Sequence, residues 1–148
     1  MSVSISVQAE DFDAGREINA LTADVGVAGA VASFVGLVRD ENKSLAAMTL
    51  EHYPGMTEKA IGEIVATAMQ RWSLLGVRVI HRIGHLLPGD RIVLVVVSSE
   101  HRGEAFAACE FIMDYLKTQA PFWKKEETPD GGRWVDARAS DDEAASRW

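Results

Sequence analysis

The sequence contains very little cysteine and no long apolar segment, and each scarcity excludes a class of protein. Cys109 is the single cysteine among 148 residues, which rules out an internal disulfide and fits a reducing compartment. The longest uninterrupted apolar run, residues 92–97, falls far short of the roughly 20 residues that a membrane-spanning helix needs. The first residues show no basic and apolar secretory signal. We therefore expect a soluble, cytoplasmic protein that does not bind membranes.

Positive charge is also scarce. The chain has 15 lysines and arginines against 22 aspartates and glutamates, a net charge of −7 and a pI near 5.0. Such a surface repels a phosphate backbone over most of its area, so we expect no general nucleic-acid binding. A local cationic pocket for one small anion is compatible with this balance. The places where the lysines and arginines collect are therefore informative.

Signals for a metal ion or a nucleotide are missing. His81 and His85 are four residues apart in a segment predicted to be a strand that leads into a turn. Positions four apart on a strand are separated by roughly 13 Å, too far to share one ion. No glycine pattern matches a phosphate-binding loop that joins a strand to a helix. We expect no metal and no bound cofactor.

The spacing of apolar residues predicts an α+β fold, with residues 1–148 forming a single domain. The predicted sheet is mostly antiparallel, with two main helices packed on one side of it and a C-terminal hairpin. Thr57, after Pro54 and Gly55, is the predicted N-cap of the first main helix. The predicted strands are 2–7, 28–39, 48–53, 77–83, 91–98, 122–126 and 133–135. The predicted helices are a weak one at 16–21, one of about four turns from residue 57, and one at 102–117.

Cys109 falls on the apolar face of the last predicted helix, at helical spacing from Ala105, Ile112 and Leu116. Nothing in its neighbourhood in the sequence marks a thiolate, and a lone helical cysteine among apolar residues is usually a core residue. We interpret it as core.

The strongest group of candidate residues lies between residues 114 and 126. Lys117 ends a predicted helix, Lys124 lies on the next strand, and Pro121 fixes the corner between them. Apolar surface from Phe122 and Trp123 would lower the local dielectric, and a lysine there binds an anion, donates a proton or acts as a base. The alternative is that such lysines stay solvated and complement the helix dipole, which is the commoner situation when the residues are taken alone.

Two further cationic positions lie at predicted element ends. His101 and Arg102 fall where a helix N-terminus is predicted, a favourable place for an anion. Arg39 closes the first long strand, beyond Phe34. Each is an ordinary surface residue when taken alone. Their joint occurrence at element ends favours a shared anion pocket, since loops at strand ends commonly carry function.

Several long motifs in order resemble the large, catalytic subunit of molybdopterin synthase. The resemblance covers about residues 28–148, and the first 27 residues match only loosely. The motifs are residues 50–60 (LEHYPGMTEKA), 79–84 (VIHRIG), 87–90 (LPGD), 101–102 (HR), 111–117 (FIMDYLK), 120–124 (APFWK), 133–135 (RWV) and 147–148 (RW).

The resemblance implies a reaction and partners. The family installs the two dithiolene sulfurs of molybdopterin on cyclic pyranopterin monophosphate. The sulfur comes from a thiocarboxylate at the C-terminus of a small ubiquitin-like partner, whose tail enters the large subunit. The assembly is a heterotetramer around a homodimer of large subunits.

The resemblance also assigns roles to residues. Lys117 and Lys124 match the catalytic lysines, and the matching substrate or phosphate positions are Phe34, Arg39, His101, Arg102 and Arg138. Because the partner brings the nucleophilic sulfur, the enzyme needs no cysteine of its own. We expect Lys117 to orient the thiocarboxylate and stabilise charge during acyl release, and Lys124 to donate a proton or make a second electrostatic contact. The sequence leaves open which lysine has which role.

Two other functions compete with this one. A non-catalytic module would bind the phosphorylated ligand in the same cationic pocket without turnover. A cysteine-dependent sulfurtransferase would need Cys109, whose apolar helical position argues against it.

Overall fold

Two four-stranded sheets and four helices make up the described parts of the computed structural model, residues 2–23, 26–40, 45–135 and 139–148. The strands are β1 Ser2–Gln8, β2 Ala30–Leu37, β3 Ala47–His52, β4 Gly76–Arg82, β5 Gly84–Leu86, β6 Arg91–Ser99, β7 Phe122–Thr128 and β8 Gly131–Val135. The helices are α1 Ala14–Leu21, α2 Met56–Arg71, α3 Arg102–Thr118 and α4 Ala139–Ala145. In these described ranges, no helix combines the length and apolar character needed to cross a membrane.

The strands pair mostly antiparallel, as predicted. Sheet A has the order β1-β4-β6-β2 and sheet B the order β5-β3-β7-β8. The predicted hairpins form as the pairs β4–β6 and β7–β8. Among the described strands, β1 differs in direction, because it pairs parallel to β4. An alternating pattern within a strand gives its exposed and buried faces but not the direction of its partner, so this pairing was not predicted.

Strand β6 is the centre of the core, since residues 92–99 are all buried. Val93, Val95 and Val97 belong to the apolar cluster that also contains the buried residues of α2 and α3. The intervening Leu94 and Val96 contact the other cluster, to which α1 contributes. The two main helices therefore share one face of sheet A, as expected, and the short α1 covers the opposite face. Burying each such side chain contributes about 1.5–3 kcal/mol.

The N-terminus of α2 differs from the prediction. Gly55, with φ of 84°, is the N-cap, and its N–H donates to Oε2 of Glu58 at 2.6 Å. Thr57 was predicted to be the cap, but it lies fully buried inside the first turn. Its hydroxyl accepts a hydrogen bond from the N–H of Tyr53 and donates one to the carbonyl oxygen of Pro121, each at 2.9 Å. Thr57 therefore ties the start of α2 to the corner that precedes β7.

The last two residues fasten the C-terminal segment to α3. The indole of Trp148 packs edge-on against the rings of Trp72 and Phe111, and its N–H donates to Asp114 at 2.6 Å. Arg147 bridges the same Asp114 carboxylate and that of Glu110, at 3.2 and 2.8 Å. These contacts hold the helix that carries Lys117.

Candidate active site

Lys117 lies in the last turn of α3 and is exposed. The helix runs back along β6, since Sγ of Cys109 in its middle lies 3.9 Å from the carbonyl oxygen of Val95. At a rise of 1.5 Å per residue, Lys117 lies about 12 Å beyond Cys109, close to where β6 begins. This end of sheet A is also where β4 ends and where the chain of β2 leaves the sheet.

Lys124 lies on β7 and is half-buried. It pairs with Leu50 of β3, which is buried, so these two positions share the face of sheet B that turns to the core. Side chains two residues apart on a strand point to the same side and are about 6.6 Å apart. Phe122 and Lys124 are related in this way.

An aromatic stack connects the two lysines. The ring of His81, at the end of β4, lies face to face with the ring of Phe122, with centroids 3.8 Å apart and planes inclined by 18°. Burial lowers the pKa of His81 to about 4, and the nearby positive charge of Lys117 contributes to the shift. Lys117 thus approaches the stack from α3, and Lys124 lies beside it on β7. The structure brings both predicted lysines to one region.

The sequence does not identify His81 and Thr57 as site residues. Its patterns offer His81 only as a candidate metal ligand and Thr57 only as a helix cap. The contacts that give them a place in the site are with Phe122 and Pro121, which lie far along the chain. No local pattern encodes such pairs.

Arg39 and Phe34 lie on the chain of β2, an edge strand of sheet A. Phe34 is 42% exposed, and its ring lies over Gly36, where a Cβ would come within 3.3 Å of it. The N–H of Val38 donates to the carbonyl oxygen of Asp90 at 2.8 Å, next to the start of β6. The chain therefore leaves sheet A just before Arg39, at the end of the sheet where Lys117 lies.

His101 and Arg102 lie at the other end of α3. His101 is the N-cap, Arg102 is the first helical residue, and both are exposed. The helical rise puts Arg102 about 22 Å from Lys117 along the axis. The structure therefore does not bring the two groups together within one chain. Arg138, the remaining predicted substrate residue, lies outside the described residues.

A groove of about 550 Å³ opens near the corner but does not have the character of an anion site. Its lining residues are Glu51, His52, Tyr53, Pro54, Trp123 and Trp134. No lysine or arginine is among them. Trp123 points to the side of β7 opposite to Lys124, because consecutive strand residues alternate. The cationic site is on the other side of this strand.

Cys109 lies in the core, as interpreted from the sequence. It is 6% exposed, and burial raises the pKa of its thiol to about 12, with a further contribution from the charge of Glu110. The thiol is therefore protonated near neutral pH and is no nucleophile. Among the residues that the structure describes, no three histidine, cysteine, aspartate or glutamate side chains are grouped to hold a metal ion.

Comparison with known proteins assigns the chain to a family. Residues 7–119 match the family described as MoaE protein. The chain belongs to the MoaE family. A molybdopterin synthase catalytic subunit from Ralstonia nicotianae is 63% identical over 147 residues, which cover 98% of this chain and 84% of that protein. The resemblance inferred from the motifs is thereby confirmed.

Solved MoaE structures have the same fold. The MoaE protein from Burkholderia ambifaria is 58% identical, with a TM-score of 0.86 over 100% of this chain and 98% of that chain. A protein–protein complex of subunits 1 and 2 of the molybdopterin-converting factor from Helicobacter pylori contains a chain of the same fold. Its TM-score is 0.73 at 21% identity, over 92% of this chain and 91% of that chain. Membership of the MoaE family makes the chain an enzyme of molybdenum cofactor biosynthesis, of the molybdopterin synthase catalytic-subunit type.

Proposed function

We propose that the chain transfers sulfur from the C-terminal thiocarboxylate of a small ubiquitin-like partner to cyclic pyranopterin monophosphate, forming the dithiolene of molybdopterin. The observation that carries the proposal is the approach of Lys117 and Lys124 to the same His81–Phe122 stack. Family membership supports the class of reaction.

Two anions must meet in this reaction, the thiocarboxylate of the donor and the phosphate-bearing pterin. Like charges 4 Å apart repel by about 4 kcal/mol at an effective dielectric constant of 20. Fixed ammonium groups offset that repulsion and hold the donor and the acceptor in the geometry of attack. An exposed Lys117 suits the arrival of one anion from solvent, and a half-buried Lys124 suits the retention of the other.

The chemistry follows from the donor. The thiocarboxylate sulfur attacks a pterin carbon that bears an oxygen substituent, and the bond from that carbon to the oxygen breaks, so that the oxygen leaves as water. A second water then adds to the acyl carbon, and the bond between the acyl carbon and the sulfur breaks. The partner leaves as a carboxylate, and the sulfur stays on the pterin. Lys117 orients the thiocarboxylate and stabilises the negative charge that develops on the acyl oxygen, and Lys124 donates a proton or makes a second electrostatic contact.

The proposal includes a particular assembly. A small partner at each end of a central homodimer gives the heterotetramer expected from the family resemblance, and the complex of two subunits in the Helicobacter pylori relative supports such a partner. The distance between Arg102 and Lys117 supports a role for the second copy. We assign His101 and Arg102 of one copy to the pocket that contains Lys117 and Lys124 of the other, together with Phe34, Arg39 and Arg138 as substrate-binding residues.

The proposal treats residues 1–148 as one domain. Met48 and Leu50 of sheet B belong to the same apolar cluster as Val93 and Val95 of sheet A, which supports this. A cytoplasmic location is also part of the proposal, and the free thiol of Cys109 suits a reducing compartment.

The decisive experiment uses Lys117→Ala with thiocarboxylated partner and cyclic pyranopterin monophosphate, and mass spectrometry of the pterin product. We expect a loss of turnover of about 100-fold or more, with partner binding retained. Lys59→Ala, an exposed lysine on α2, is the matched control and should keep full activity. Full activity of Lys117→Ala would refute the assignment. If the native chain binds the pterin without forming product, the non-catalytic binding module is the correct function.

A further inference from the structure

The outer edge of β2 is open. Among the described strands, β2 pairs only with β6, so alternate backbone N–H and C=O groups along it point away from sheet A. Residues 30–37 contain no charged side chain and no proline, the features that usually block such an edge. Val31 and Leu37 are large apolar residues of this strand and are exposed. An edge of this character favours the addition of another strand.

Exposed apolar side chains continue from this edge onto α3. Phe34 pairs with Val95, so its side chain lies on the helix-covered face of sheet A. Phe106 of α3 is 66% exposed. It follows Arg102 by four residues and precedes Lys117 by eleven, about one and three helical turns, so these three residues form one stripe along α3.

This stripe faces away from α2. Phe111 and Tyr115 lie on the opposite side of α3, where they line a cleft that α2 shares. Helix α2 packs next to β1, the far edge of sheet A, and α3 packs on β6 and β2. The stripe of Arg102, Phe106 and Lys117 therefore lies on the side of the open β2 edge.

The directions of β2 and α3 suit a twofold arrangement. Both run antiparallel to β6, so they run the same way. Strand β2 begins beside the start of α3, because Ala30 lies opposite Ser99, and it ends near the level of Lys117. If a second copy adds its β2 antiparallel to the first, the start of its α3 lies level with the end of the first. Arg102 of the second copy then comes to the level of Lys117.

The spacing of the two helices also fits. Neighbouring strands are about 4.8 Å apart, and α3 packs over both β6 and β2. A twofold axis half a strand spacing beyond β2 therefore puts the two α3 axes about 10 Å apart, the distance of helices in contact. Cys109 is level with Val95 and hence with the middle of β2, so Phe106 of one copy faces Met113 of the other.

We propose that the open edge of β2, with Phe34 and Phe106 beside it, is the surface through which two copies of this chain join as an antiparallel, twofold pair. The inference rests on the proposed function only for its catalytic consequence. The proposed pocket is incomplete in a single copy, and this interface completes it at both ends of β2 by bringing Arg102 of each copy to Lys117 of the other.

Phe106→Asp tests the interface, because it puts a charge between the two helices. We expect the native chain to sediment as a dimer, and the dissociation constant of Phe106→Asp to rise about 100-fold or more. Val31→Lys, which charges the edge strand, should also weaken the dimer. Met56→Asp, at a residue of α2 that is 61% exposed, is the matched control and should leave the dimer intact. Circular dichroism checks that each variant is folded, and a Phe106→Asp dimer as tight as the native one overturns the inference.

A cross-link tests the register. Ser33 is exposed in the middle of β2, so the twofold axis brings it close to its counterpart in the second copy. In a Cys109→Ala background, Ser33→Cys should form a disulfide between copies under mild oxidation, and Lys59→Cys, on α2, should not. A dimeric Ser33→Cys chain that does not cross-link overturns the inference.

Neither measurement needs activity, so the interface and the proposed function can fail separately. Monomeric Phe106→Asp should also lose sulfur transfer about 100-fold, since every pocket then lacks Arg102. A native dimer that cross-links through Ser33→Cys but forms no product would support the interface and count against the proposed function. A native chain that is monomeric alone, with Phe106→Asp losing the small ubiquitin-like partner, would assign the surface to that partner and overturn the inference.

Discussion

The hydroxyl group of Thr57 donates a hydrogen bond to the carbonyl oxygen of Pro121 at 2.9 Å, across 64 residues of sequence. The hydroxyl oxygen of Thr57 also accepts a hydrogen bond from the backbone N–H of Tyr53, so one buried side chain connects the start of α2 with the corner between Lys117 and Lys124. Together with the His81–Phe122 stack, this contact fixes the corner from two sides. The separation of the two lysines thus depends on residues from three different elements.

Thr57→Val tests this relationship because it preserves the shape and removes the hydroxyl. We expect a loss of about 1–3 kcal/mol in the free energy of unfolding, since the N–H of Tyr53 and the carbonyl of Pro121 lose a buried partner. We also expect a lower kcat, because the corner moves. Urea unfolding and the sulfur-transfer assay measure the two effects. Thr57→Ser keeps the hydroxyl and should retain kcat. If Thr57→Val keeps both full activity and full stability, the hydroxyl of Thr57 does not hold the corner in place.

The neutral state of His81 gives stability a pH dependence of definite sign. The pKa falls from 6.5 in the unfolded chain to about 4 in the folded one, so the unfolded state binds the proton first as the pH drops. The contribution of the neutral His81 ring to the free energy of unfolding is complete above pH 6.5 and is lost as the pH falls toward 4. It amounts to about 2 kcal/mol between pH 7 and pH 5.

His81→Phe removes this contribution. The difference in unfolding free energy between the native chain and His81→Phe should therefore shrink by about 2 kcal/mol from pH 7 to pH 5, as measured by urea unfolding at both pH values. His85→Phe, at an exposed histidine, should give a curve parallel to the native one. A constant difference for His81→Phe would mean that the ring is not held neutral.

Cys109 provides a test of the cysteine-dependent alternative. Its thiol is protonated because burial raises its pKa to about 12, so we expect Cys109→Ala to keep native kcat. The substitution shrinks a buried side chain and should cost about 1 kcal/mol of stability. The native thiol should also resist alkylation at pH 8 until the chain is unfolded. Abolished turnover in a folded Cys109→Ala variant would restore the alternative.

Local patterns predicted much of the fold. The continuous apolar run of β6 and the apolar face of α3 predict that these residues are buried, as the structure shows. The short segment with Pro121 keeps Lys117 and Lys124 close in sequence. The parallel partner of β1 and the stack of His81 on Phe122 depend on packing between distant segments, which no periodicity encodes. The distance between Arg102 and Lys117 follows from the predicted helix 102–117, because each residue of a helix adds about 1.5 Å along its axis.

The C-terminal contacts were also beyond local patterns. Trp148 packs on Trp72 and Phe111 and donates to Asp114, so Trp148→Ala removes both aromatic packing and a hydrogen bond. We expect a loss of about 2–4 kcal/mol in unfolding free energy, measured by urea unfolding. Trp134→Ala is the matched control, because Trp134 is 57% exposed, and it should cost less than about 1 kcal/mol. Equal losses in the two variants would argue against the fastening of the C-terminus to α3.

The most informative test of the assembly is complementation between subunits. Arg102→Ala and Lys117→Ala should each inactivate a homodimer, since every pocket then lacks one group. If a pocket takes Arg102 from one copy and Lys117 from the other, a mixed dimer has one pocket with both defects and one intact pocket. Mixed dimers isolated through two different affinity tags should then show about half of native activity.

The control for this complementation is a mixed dimer of Lys117→Ala and Lys124→Ala. Both lysines belong to the same copy, beside the same His81–Phe122 stack, so each pocket of that dimer lacks one lysine and activity should stay absent. Should the Arg102→Ala and Lys117→Ala mixture also stay inactive, His101 and Arg102 would serve their own chain. The distance of about 22 Å along α3 would then separate two independent anion sites, and the second copy would contribute nothing to the reaction.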